Sequence, residues 1–70
     1  MGSISHETRL KVLTLDSTLE QASDVTDFLS VRTLRDLNPN VFELKQVREH
    51  LTKALGLVDE LIAEQEQQGS

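Results

Sequence analysis

The sequence contains no cysteine, tryptophan or tyrosine, and its only aromatic side chains are Phe28 and Phe42. Without cysteine there is no disulfide framework, no thiolate zinc site and no thiol nucleophile. Proline occurs once, at Pro39, and the glycines Gly2, Gly56 and Gly69 are isolated, which excludes a Gly-rich phosphate-cradling loop. No apolar run approaches the ~20 residues a helix needs to cross a bilayer, so no membrane role is expected. Positive charge is also scarce: seven Lys and Arg face twelve Asp and Glu, a formal charge of −5. Nucleic-acid binding is dominated by phosphate neutralisation, and this balance disfavours it.

What remains is a chain of 70 residues, 37% apolar, with room for one domain. A chain this short buries only about 60% of the surface it exposes when unfolded, against an ordering cost of ~1.5 kcal/mol per residue. With no disulfide and no evident metal cluster, association with a copy of itself or with another chain is the remaining source of stability. Met1-Gly2-Ser3 and Gly69-Ser70 have the composition of cloning scars, so residues 1–4 and 68–70 are set outside a single helical domain over 5–67. The start is not a charged-then-apolar signal peptide, and an intracellular protein of unspecified compartment is expected.

The segment from Asn40 to about 66 carries the clearest pattern. Leu44, Val47, Leu51, Ala54, Val58 and Leu61 step by 3, 4, 3, 4 and 3, the alternation of a heptad seam, while Leu55 and Ile62 widen the stripe. Asn40 followed by Glu43 has the form of a helix start, and Asn38 before Pro39 offers another one turn earlier. Gly56 lies within the helix, where it marks either a close approach or a weak point. A second helix is expected over about 17–37. Ser17 and Glu20 fit a capping box, and Leu19, Ala22, Val25, Phe28 and Leu29 form a face that packs inside the hairpin. The later spacing of Phe28, Val31, Leu34 and Leu37 is a strict three, which predicts a bend, a tight turn or a rotation of the buried face near residues 30–33. A turn at 38–40 then makes the two helices antiparallel.

Residues 9–15 read either as a short strand or as helix with a first turn capped by Ser5. Helix is favoured, because no other segment can supply partner strands. The fold class is therefore all-α: a hairpin of two long antiparallel helices, with or without a short N-terminal third, completing a bundle by oligomerisation.

Candidate chemistry is thin. The two histidines, His6 and His50, have no metal ligands at helical spacing, so His50 reads as a surface residue and no metal or other cofactor is expected. No catalytic residues are assigned, because the helices offer no pocket for water exclusion. Charge is segregated: residues 16–30 and 54–70 each hold four acids and no base, whereas 31–53 hold five bases and three acids. Arg32, Arg35, Lys45 and Arg48 thus form a candidate patch for an acidic partner at the hairpin tip. The acids late in the second helix oppose its own dipole, so that end is expected to fray or to continue into further helix.

The expected function is a non-enzymatic protein-interaction or oligomerisation module, an adaptor or assembly domain, with a second copy or another helix as its partner. The partner-binding residues are Leu44, Val47, Leu51, Ala54, Leu55, Val58, Leu61 and Ile62. Leu61 and Ile62 are expected to be most exposed, because the first helix is the shorter one. The alternative is a ribbon-helix-helix DNA-binding dimer in which residues 9–15 form the strand and Arg9, Lys11 and Thr14 face the groove.

Overall fold

The computed structural model describes residues 4–69. Two helices of equal length, α1 over His6–Leu34 and α2 over Val41–Gly69, pack against each other as an antiparallel hairpin. Each has 29 residues, which corresponds to ~43 Å of rod. The chain measures 53 × 16 × 15 Å, with a radius of gyration of 16.2 Å, against the ~11 Å of a compact domain this size.

α1 begins well before Ser17, and among the described residues there is no separate third helix. The operative cap is Ser5: its extended backbone turns the chain into the helix and its Oγ accepts from the Thr8 N–H at 3.1 Å. Residues 9–15 are thus α-helical, and Ser17 is an exposed interior residue rather than a helix start. The capping-box pattern at Ser17 is outweighed because helix continues favourably on both sides of it, and a good cap has no use where the preceding turn is already formed.

α1 ends in a Schellman motif. The Asp36 N–H donates to the Thr33 carbonyl at 3.0 Å and the Leu37 N–H to the Arg32 carbonyl at 2.9 Å, with Asp36 in the left-handed region at φ 58°. Asp tolerates that conformation better than branched residues do, though less well than glycine. The helix therefore stops at Leu34, short of the expected 37. Arg32 Nε reaches the Asn38 carbonyl at 3.3 Å and holds the link against the helix end. α2 starts where the sequence places it: Asn40 Oδ1 accepts from the Phe42 N–H at 2.8 Å and the Glu43 N–H at 3.3 Å. It continues through Gly69, beyond the tail expected to begin at 68. The expectations for residues 1–3 and 70 lie outside the described residues.

The face that α1 turns toward α2 is Thr8, Lys11, Leu15, Thr18, Ala22, Val25, Leu29 and Arg32, an unbroken alternation of three and four. That face does not rotate near residues 30–33, and the chain turns just beyond, at residues 35–36. Phe28, Val31 and Leu34 instead point away from the seam, with Phe28 67% exposed. Leu19, also expected inside, is on the flank and exposed. The corresponding face of α2 is Glu43, Val47, His50, Ala54, Leu57, Leu61 and Glu64. Among the described residues only Thr18, Ala22 and Ala54 are buried, and no large side chain is fully buried. Small residues at mid-seam let the two backbones approach, so that short side chains become covered while long ones splay to the sides. Gly56 plays no part in that approach: a methyl group built there would meet nothing within 4 Å.

Two substitutions follow from these observations. Gly56→Ala should stabilise the fold by ~1 kcal/mol, a rise of roughly 4–8 °C in Tm, because it removes backbone entropy from the unfolded chain and adds no clash. Ser5→Ala should cost ~1 kcal/mol of helix stability while Ser17→Ala is near neutral, both measured by thermal circular dichroism.

Candidate interaction surface

The helix start, the open end of the hairpin and the flank of α2 together determine which surface is available. At the open end a polar network joins segments far apart in sequence. Lys11 Nζ donates to Glu64 Oε1 at 2.6 Å and lies 3.5 Å from Glu7 and 3.7 Å from Glu60. Thr8 donates its hydroxyl proton to the other oxygen of Glu64 at 3.1 Å, while the Ser5 hydroxyl donates to Thr8 Oγ1 at 2.9 Å. The cap of α1 is thereby tied to the last turns of α2. The aliphatic stem of Lys11 is covered, leaving its side chain 17% exposed. Acids that oppose the dipole of α2 thus lie beside the N-terminal turns of α1, where negative charge is favourable.

This network also sets the register. Counting inward from Lys11 opposite Glu60 and Glu64, Thr18 comes level with Ala54 and Ala22 with His50. The seam is consequently polar at its ends and small in its middle. His50 is half-buried on the inward face of α2, not at the surface as its sequence context suggests. Among the described residues, no three His, Asp or Glu side chains come together as a metal site.

The eight residues assigned to partner binding divide into two sets. Val47, Val58 and Leu61 are half-buried and Ala54 is buried, so these belong wholly or partly to the hairpin's own seam. Leu44, Leu51, Leu55 and Ile62 are 45%, 50%, 61% and 50% exposed. The 3-4 series read from the sequence therefore straddles two faces: Val47, Ala54 and Leu61 turn inward, and Leu44, Leu51 and Val58 form the flank. Leu61 is less exposed than expected, because α1 is as long as α2 and covers its far end. The uncovered surface arises from the width of the apolar stripe rather than from any difference in helix length.

That uncovered surface has its own regularity. Leu44, Arg48, Leu51, Leu55, Val58 and Ile62 step by 4, 3, 4, 3 and 4, a second seam centred about 100° around the helix from the first. Between Leu44 and Leu55 it forms an open groove that Val47, Arg48, Leu51 and Thr52 also line. Val12 and Leu19 of α1 are exposed on the adjoining edge. A second apolar group, including Phe28, Val31, Val41 and Phe42, lies toward the hairpin tip.

The four basic residues assigned to an acidic partner, Arg32, Arg35, Lys45 and Arg48, differ in exposure. Arg32 is half-buried on the inward face and bonded to Asn38. Arg35, Lys45 and Arg48 are exposed, with Lys45 and Arg48 neighbours three residues apart on α2 and Arg48 within the second seam. Leu15, Thr18 and Leu57 are seam residues that sequence reasoning missed. The 3-4 alternation running from Lys11 to Leu29 was the available signal, obscured because it includes Lys and Thr.

No family model, curated protein or solved structure matches this chain.

The Lys11–Glu64 pair makes a pH prediction. The hydrogen bond from Lys11 holds the Glu64 carboxyl below its ordinary 4.5, and the same bond raises the Lys11 ammonium above its ordinary 10.5. Glu64 contributes stability that is present above its unfolded pKa and lost as pH falls through the lowered folded value. Lys11 contributes stability that is present below its unfolded pKa and lost as pH rises through the raised one. Between these limits the pair's contribution should be flat. Glu64→Gln should flatten part of the decline in denaturant midpoint below pH 4.5 and part of the alkaline decline; acid and alkaline slopes identical to those of the native chain would show that the pair is not formed.

Proposed function

We propose that this protein is a non-enzymatic helical interaction and oligomerisation module, in which the second seam of α2 is covered by a helix from another molecule. The observation that carries this reading is surface area. The hairpin exposes 5691 Å², whereas a folded monomer of 7.9 kDa exposes about 4,400 Å². The excess is roughly 1,300 Å² per chain, within the range that stable association removes from each partner.

The character of that surface supports the same reading. Isolated exposed leucines are ordinary, but a contiguous stripe at heptad spacing is the signature of a helix-pairing face. The ribbon-helix-helix alternative is not carried forward, because residues 9–15, which it needs as a strand, lie inside α1.

Sedimentation equilibrium from micromolar to near-millimolar concentration tests the reading. A mass above that of one chain, with a melting temperature that rises with concentration, is expected. Leu51→Asp and Leu55→Asp should each lower that mass and the melting temperature together, since each places a charge in a dry contact. A single-chain mass at every concentration, with cooperative melting that neither substitution alters by more than ~0.5 kcal/mol, would overturn the reading, because that is how idle surface behaves.

A further inference from the structure

We infer that the occupant of the second seam is the same seam of a second copy, paired antiparallel about a two-fold axis, so that two hairpins close a four-helix bundle. This rests on the interaction-module reading above and adds to it the partner, the orientation and the register.

A two-fold contact requires a surface complementary to itself. The seam residues 44, 48, 51, 55, 58 and 62 are spaced symmetrically about position 53. Reversed onto itself, the seam sets Leu44 against Ile62 of the other copy, Leu51 against Leu55, and the aliphatic stem of Arg48 against Val58. Every pairing is apolar or amphipathic, and the guanidinium of Arg48 can remain in water at the rim.

Charge then selects the direction. Residues 41–53 hold three bases (Lys45, Arg48 and Lys53) against two acids (Glu43 and Glu49), whereas 54–69 hold four acids and no base. A parallel pair would set the acid-only halves side by side, and an antiparallel pair sets each against the base-bearing half of its partner. In the symmetric register the flanking positions bring Lys45 opposite Asp59 of the other copy, twice per dimer, and Thr52 opposite Thr52 on the axis. Lys45 and Asp59 are both exposed, and among the described residues neither forms an ion pair within its own hairpin.

The angle between the seams fits the same architecture. In a square bundle each helix has two neighbours about a right angle apart, and the two seams of α2 lie about 100° apart. The excess area is also appropriate: removing roughly 1,300 Å² from each chain gives an interface near 2,600 Å², in the range of obligate homodimers.

Single-thiol cross-linking tests the register, and the absence of native cysteine makes each thiol unique. Lys45→Cys and Asp59→Cys chains are mixed in equal amounts and treated with a short bismaleimide, with sedimentation run in parallel. The expected product joins position 45 to position 59 and dominates over 45–45 and 59–59 species. Dominant 45–45 and 59–59 products would show parallel pairing, and a two-chain mass without cross-links would place the contact elsewhere; either result overturns this inference while leaving the interaction-module reading intact. A single-chain mass throughout would also overturn this inference, and together with melting unaltered by Leu51→Asp or Leu55→Asp it would overturn the interaction-module reading as well. In the complementary test Lys45→Glu should weaken the dimer roughly tenfold, and Lys45→Glu combined with Asp59→Lys should recover it to within about threefold of native. Failure of the double exchange to recover any affinity would also overturn the pairing.

Discussion

Two helices lying side by side share a single line of contact, and this constraint governs the whole molecule. Each helix can hide one stripe, roughly a third of its circumference, from its neighbour. Here the stripe is occupied at its centre by Thr18, Ala22 and Ala54, which are short enough to be covered completely. The larger aliphatic residues are left at the margins, half covered at best. A third or fourth helix would convert those margins into interior, and the described residues contain none.

Small residues at the centre and polar residues at the ends have complementary effects. Close backbone approach gains dispersion contacts over a short stretch, but it contributes little burial of apolar area, because alanine and threonine have little to bury. The hairpin therefore relies on its ends for alignment. At the open end, Lys11 and Thr8 converge on Glu64 and prevent α2 from sliding along α1. At the tip, the Schellman turn at Asp36 and the Asn40 cap define the start and stop of the helices on either side of the link. Register is thus set by polar geometry at both extremities, while the apolar content of α2 is distributed over a face that register alone does not cover.

The helical hairpin and the start of α2 were legible in the sequence, and the reasons are local. Asn38-Pro39-Asn40 interrupts any helix, and the leucine and valine series beyond it can be read with a 3.6-residue period. The start of α1 was less legible, because Ser5 and Ser17 both have caps' chemistry and only the context beyond them decides. The orientation of each seam was less legible still. A stripe spanning four positions of each heptad has no internal mark separating the side that meets the hairpin partner from the side that does not. Thr18 and Lys11 belong to the inner face yet carry polar atoms, so pattern reading assigns them outward; Phe28 is apolar and was assigned inward. Packing distance, which favours the small over the apolar at the closest approach, made the difference.

The same width that blurs the sequence reading separates two requirements of an assembling helix. If one stripe served both the hairpin and an outside partner, occupancy by one would expel the other, and association would require the hairpin to open. With the seams about 100° apart on α2, the inner face can remain closed while the outer one is engaged. Lys45, Asp59 and the leucines of the outer seam take no part in the Lys11–Glu64 network, so in the proposed pairing the alignment of the hairpin and the choice of partner would use different side chains. An interface built this way can be weakened or strengthened at its rim without disturbing the register of the two helices that present it.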